Sequence, residues 1–321
     1  MEIYMSDNRP NFARIDRLNY PRPQFYRPRY MKLNGEWQFD FDDGRRGMEE
    51  KWFERDHKLS RTINVPFAYQ TELSGINDKT PHDIGWNKRN FSIPKEWEDI
   101  NWIDYDLLLH FGAVDYRAQV FINGEEAYLN EGGHVPFYFD ITPYLKNGGF
   151  DEQITVRAED TEDTDQPRGK QVAHPHDMYY TNTSFIWQDV WLEVVPKTRI
   201  QQKGFKVTPS AENKAVYFEI PITLAHNVAY VEVEAYDASD PSETPAAKTI
   251  GKIKGAGTRM RLQFEGSIKL WTPDTPNLYN LRIRLWGADG QILDEVLSYT
   301  GIRDIEVRPE GYYLSGEHFF L

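Results

Sequence analysis

The sequence predicts an all-β protein built from two β-sandwiches in series, on three observations. Short runs of alternating apolar and polar residues recur at the two-residue period of a half-buried strand. No long segment shows the 3.6-residue period of an amphipathic helix. Aromatic residues make up 14% of the 321 residues, with nine Trp and nineteen Tyr. Sheet cores and sugar-binding surfaces both use such residues, because a flat ring joins a large apolar face to a polar edge. A hydrophobic content of 40% over this length fills the cores of two ordinary domains.

Residues 1–30 read as an extended N-terminal arm lying over the first domain, since Pro21, Pro23 and Pro28 block helix and central strand alike. Residues 31–197 form the first sandwich. Trp37, Phe39 and Phe41 alternate with Gln38 and Asp40 as in a half-buried strand, and a short helix is expected over 48–57. The mostly apolar run 106–111 reads as a central strand. The strand 119–122 is closed by Asn123-Gly124, a strong hairpin signal. Strands over 137–141, 154–158 and 190–195 follow, and Pro196 ends the series. Residues 198–303 carry further strands over 205–207, 216–220, 229–235, 260–264, 281–285 and 296–300. About seven short strands in a hundred residues, separated by turn clusters, is the pattern of an immunoglobulin-like sandwich. Residues 237–245 form a surface loop by composition. Residues 304–321 read as a strand, a turn and a new apolar strand ending on Phe319-Phe320-Leu321, expected to open a further domain.

One segment behaves differently. Between the strands at 154–158 and 190–195, residues 160–183 show no periodicity of their own. Loops of about two dozen residues inside a compact domain are uncommon and often functional. This one gathers charged, imidazole and phenolic groups: Arg168, Lys170, His174, His176, Asp177, Tyr179 and Tyr180.

Composition narrows the partners. A net charge of -13 argues against nucleic acid. The absence of cysteine excludes disulfides, thiolate metal sites and a Cys nucleophile. It fits a reducing cytoplasm and leaves a periplasm open. The first residues carry no basic region followed by an apolar run, and no stretch approaches the ~20 apolar residues of a bilayer span. A soluble protein with no membrane partner is expected.

Landmarks along nearly the whole chain resemble, in order, the N-terminal half of family-2 glycoside hydrolases. They are Leu33-Asn34-Gly35-Glu36-Trp37, Val65-Pro66-Phe67, Gly85-Trp86, Phe121-Ile122-Asn123-Gly124, Gly132-Gly133-His134-Val135-Pro136-Phe137, Arg168-Gly169-Lys170-Gln171, Ile186-Trp187-Gln188-Asp189, Leu270-Trp271-Thr272-Pro273 and Gly301-Ile302-Arg303. The resemblance implies a galactose-binding-like jelly-roll β-sandwich followed by an immunoglobulin-like β-sandwich. It also implies a downstream TIM barrel holding both catalytic carboxylates. A barrel needs ~250 further residues, so the chain alone is expected to lack glycosidase activity and to hold no catalytic residue. Its function is expected to be the scaffold and one active-site wall of a hydrolase of O-glycosidic bonds, most similar to β-galactosidases. The alternatives are a free-standing carbohydrate-binding module and a structural or oligomer-forming unit. The implied partners are a β-glycoside or oligosaccharide and the chain's own barrel, with homo-oligomers also compatible.

Asp177 is the foremost candidate for sugar contact. The resemblance implies that a loop aspartate before the Ile-Trp strand reaches into the barrel's active site. There it would accept hydrogen bonds from sugar hydroxyls or help hold a sodium or magnesium ion in the full-length enzyme. An ionised carboxylate is acceptor-only and serves two donors. Phe185 departs from the family, standing where a glycine is usual. His176 and Tyr179 are candidate neighbours at the rim of the pocket. Arg168 is a candidate for substrate contact or, more simply, for anchoring the loop beside Asp160, Asp163 or Asp165. His174-Pro175-His176 falls short of a zinc ligand set, so no metal site and no cofactor is expected within the chain. Trp187 and Trp191 are expected in the core.

Overall fold

In the computed structural model the described residues are 12, 18–163, 165–242 and 244–320. They form two compact units, Arg29–Val195 and a second built from Pro196–Leu321 with the arm up to Pro28. The architecture is all-β, and among the described residues no helix is long and apolar enough to cross a membrane.

The first unit packs a six-stranded sheet over a four-stranded one. The larger sheet runs in the order Arg61–Val65, Gly35–Phe41, Ile84–Phe91, Glu152–Glu159, Arg117–Ile122, Glu125–Glu131. The smaller holds Tyr30–Lys32, Val190–Pro196, Tyr105–Phe111 and Phe137–Asp140. Their inward residues, among them Trp37, Phe39, Leu109, Phe111, Val120, Val156 and Leu192, make one continuous core. Asn123 and Gly124 both take positive φ, 52° and 84°, as the tight turn between Arg117–Ile122 and Glu125–Glu131 requires.

The strand Ile84–Phe91 escapes the alternation rule because it is central and covered on both faces. Its residues from Ile84 to Lys88 are all buried. Lys88 donates from Nζ to the carbonyls of Glu54 and His57, each at 2.7 Å, and burial lowers its ammonium pKa to about 8. This pins 48–57 as a run of turns, and the expected helix does not form. The Asp42 carboxylate accepts from the N–H groups of Arg46 and Gly47. Arg45 and Lys51 take left-handed backbone angles, which interrupt any helical run.

The second unit is a sandwich of three and four strands. Lys206–Ser210, Ala215–Pro221 and Gly257–Gln263 face Ala247–Lys252, Tyr230–Asp237, Tyr279–Trp286 and Ile292–Thr300. A three-stranded meander follows, Ile305–Arg308, Gly311–Leu314 and Glu317–Phe319, while Leu321 lies outside the described residues. The arm corrects the sequence expectation. Its described part up to Pro28 lies on this second sandwich, and only Arg29 and Tyr30 join the first, beside the strand Val190–Pro196. Tyr26 exchanges two backbone hydrogen bonds with Leu297, and Phe25 is part of the core. Arg27 forks onto the buried carboxylate of Asp294 at 3.0 and 2.7 Å. The rest of the expected arm, residues 1–11 and 13–17, lies outside the described residues.

Candidate functional site

The segment between Glu152–Glu159 and Phe185–Ile186 has no regular structure and divides into a foot, a clasp and a tip. The foot is part-buried. Asp160 donates its N–H to the Asp83 carbonyl at 2.8 Å and accepts from Gln166 Nε2 at 3.0 Å. Burial raises its carboxyl pKa, against the pull of hydrogen bonds from Ser184 and Gln166 and the charge of Arg168. The Ser184 hydroxyl also accepts from Gln70 Nε2 at 3.0 Å.

Below it, Val114–Asp115 pairs with Phe185–Ile186, so that Asp115 stands opposite Phe185. The Asp115 side chain leans on Gly133, where a Cβ would come within 1.9 Å of Oδ1. Asp115 is only 5% exposed. Burial, reinforced by the neighbouring charge of Asp160, pushes its carboxyl pKa up to about 7.

Phe185 holds φ at +70°. That backbone region is costly for a bulky residue and free for glycine, in keeping with the glycine that the family resemblance leads one to expect here. The ring is fully buried, lies 5.2 Å from the Tyr69 ring, and occupies the space that Gly85 leaves open. Packing holds the strained backbone in place.

The clasp joins the two limbs of the loop. Val172 donates to the Tyr180 carbonyl at 3.0 Å and Tyr180 to the Lys170 carbonyl at 2.8 Å. Gln171 Oε1 accepts from the Thr183 N–H at 2.5 Å. Arg168 Nη2 donates to the Gln171 carbonyl at 3.3 Å. Arg168 therefore belongs to the foot and clasp, and it is set apart from the other three predicted site residues.

The tip brings together His176, Asp177 and Tyr179, all exposed. Asp177 turns the chain with φ at +48°, a conformation that Asp tolerates better than most residues. The turn closes with Tyr179 N–H on the His176 carbonyl at 2.9 Å. His176 Nδ1 lies 2.9 Å from the His174 carbonyl and its ring 5.2 Å from that of Tyr179. Met178 and Tyr180 are 59% and 65% exposed. The tip thus offers one carboxylate, the two imidazoles of His174 and His176, and two phenols to solvent. Among the described residues, no group of three or more His, Asp or Glu side chains is placed to hold a metal ion. Asp177 and His176 by themselves do not make a cation site.

Of the tryptophans, Trp191 is buried as expected, stacked on His110. Trp86 is buried with Nε1 donating to Asp42. Trp187 differs from expectation. It is half-buried at the surface, with Nε1 donating to the Gly133 carbonyl at 2.9 Å. Asp115 was not singled out from sequence. Its only signal is an acid directly after the apolar Ala113-Val114.

Sequence comparison accounts for the two sandwiches separately. The family description "Glycosyl hydrolases family 2, sugar binding domain" matches residues 30–196, and "Glycosyl hydrolases family 2" matches residues 198–303. The chain belongs to glycosyl hydrolase family 2. The family relatives include a β-galactosidase of Thermoanaerobacter pseudethanolicus, 27% identical over 94% of this chain and 37% of the relative. A β-glucuronidase of Paenibacillus borealis is 25% identical over 90% of this chain and 48% of its own length. Among solved structures, a β-glucuronidase from Ruminococcus gnavus in complex with D-glucaro 1,5-lactone shares the fold. Its TM-score is 0.72 at 22% identity, covering 94% of this chain and 50% of that one. The chain thus spans half or less of the length of these relatives.

Proposed function

We propose that this chain is the non-catalytic, sugar-facing part of a family 2 glycoside hydrolase acting on O-glycosidic bonds. In this reading the loop 160–183 forms one wall of the active site, with Asp177 as the sugar contact. The observation that carries it is the placement of Asp177 at the exposed tip of a loop with a part-buried, polar-bonded foot, on a sandwich that matches a sugar binding domain. A carboxylate raised on a rigid base accepts from sugar hydroxyls supplied from outside the sandwich. His176 and Tyr179 border it. The relatives carry the names β-galactosidase and β-glucuronidase, and a β-galactoside is the finer expectation. A sodium or magnesium ion belongs to this proposal only if a partner domain brings further ligands.

The test uses the 321-residue chain as it stands. It is titrated calorimetrically with methyl β-galactoside and methyl β-glucuronide and assayed with the corresponding nitrophenyl glycosides. The expected result is no turnover, and binding weaker than about 1 mM, which corresponds to roughly 4 kcal/mol. Turnover by the chain alone would overturn the non-catalytic assignment. Micromolar binding would point to a free-standing carbohydrate-binding module.

A further inference from the structure

The tip that presents Asp177 is positioned from inside its own loop. Among the described residues, the hydrogen bonds of 174–179 all stay within the tip: His176 Nδ1 with the His174 carbonyl, and Tyr179 N–H with the His176 carbonyl. The side chains of 174–180 are all exposed, so burial does not anchor them either. The place of Asp177 in space is therefore inherited from the point where the two limbs are joined.

That point centres on Gln171. Its backbone lies beside Tyr180 in a parallel bridge. Its carbonyl takes Arg168 Nη2, on the limb coming up from the foot. Its side-chain oxygen crosses to the Thr183 N–H on the limb going down. The next residue, Ser184, is buried and bonded to Gln70. One side chain thus ties the strand-bound base of the descending limb to the base of the tip. A second tie, the Ala173 N–H on Glu162 at 2.8 Å, is exposed to solvent and weaker for it.

We propose that Gln171 is a positioning residue for the substrate contact at Asp177, fixing the tip by its side-chain bond to the Thr183 N–H. The proposal rests on the assignment of Asp177 to sugar binding. Gln171 itself touches no substrate.

The experiment compares Gln171→Met, which keeps the length of the side chain and removes the acceptor, with Gln171→Glu, which keeps the acceptor. Amide exchange at Thr183 is followed in the 321-residue chain. Turnover of a nitrophenyl β-glycoside is followed with the chain joined to the catalytic barrel that the proposed function requires. Gln171→Met is expected to speed Thr183 exchange and to lower kcat/KM about 5- to 10-fold, the scale of one hydrogen bond. Gln171→Glu is expected to restore both to within about 2-fold. In the Asp177→Asn background Gln171→Met should have no further effect, because it acts through Asp177. Additive losses, or faster exchange with unchanged kcat/KM, overturn the positioning role. An inert Asp177→Asn alone overturns the sugar-contact assignment, and the two failures are told apart by that single variant.

Discussion

The two sandwiches share a strand pattern and differ in how they treat buried charge. In the second, acids and bases cancel within one sheet face. Glu234 accepts from Arg282 Nε at 2.7 Å and pairs with Lys248 at 3.0 Å. Glu232 pairs with Arg284 and with Lys248, and the Tyr236 hydroxyl donates to Glu234. Glu234 keeps a lowered carboxyl pKa, because these partners outweigh its burial. In the first sandwich, Asp115 and Asp160 sit together beneath the loop and both have raised pKa values. Cancelled charge costs little once its partners are in place and holds a sheet together. Uncancelled acid gathers where a fold serves something beyond its own stability. The second sandwich also holds one acid whose pKa burial raises, Glu295, so what singles out the loop's foot is that two such acids stand together there.

Removing charge from each side sharpens this contrast. Arg282→Met leaves the buried Glu234 without its closest partner, and a loss of about 3 kcal/mol or more in urea unfolding is expected. A change below 1 kcal/mol would mean the lattice is not a cancelled network. Asp115 acts in the opposite sense and depends on pH. In the folded chain it holds its proton up to about pH 7, against 3.8 for a free aspartate. The folded state therefore binds more protons than the unfolded one between about pH 4 and 7. Stability is greatest below that window and falls as pH rises through it, by as much as roughly 4 kcal/mol. Asp115→Asn mimics the protonated acid, and unfolding midpoints at pH 5 and pH 8 should draw together. An unchanged pH dependence would remove Asp115 from the account. The smallest effect concerns Gly85, where a Cβ would lie 2.4 Å from the Phe185 ring. Gly85→Ala should cost about 1–3 kcal/mol by overpacking, partly recovered by adding Phe185→Leu.

The sequence made the strands legible where one face is wet, as in Gly35–Phe41, and hid Ile84–Phe91, whose two faces are both covered. Prolines identified an extended arm but could not say where it lies. Its side was decided by Phe25 filling a core and Arg27 meeting Asp294, contacts between residues far apart in the chain. The tip of the loop was legible in composition and in family likeness. The foot was not, because the raised pKa of Asp115 comes from burial and from Asp160 across the fold. The Phe185 anomaly gained its physical reason only from the positive φ.

Asp177 carries the central claim, and Asp177→Asn tests it most directly. Asparagine keeps the left-handed turn and the shape of the side chain while removing the charge. With the chain joined to the catalytic barrel that the proposal requires, kcat/KM for a nitrophenyl β-glycoside is expected to fall about 10- to 100-fold, as for a lost charged hydrogen bond. The unfolding midpoint of the 321-residue chain should stay where it was, since the tip is exposed. Unchanged kcat/KM with the fold intact would contradict the assignment of the loop as a wall of the active site.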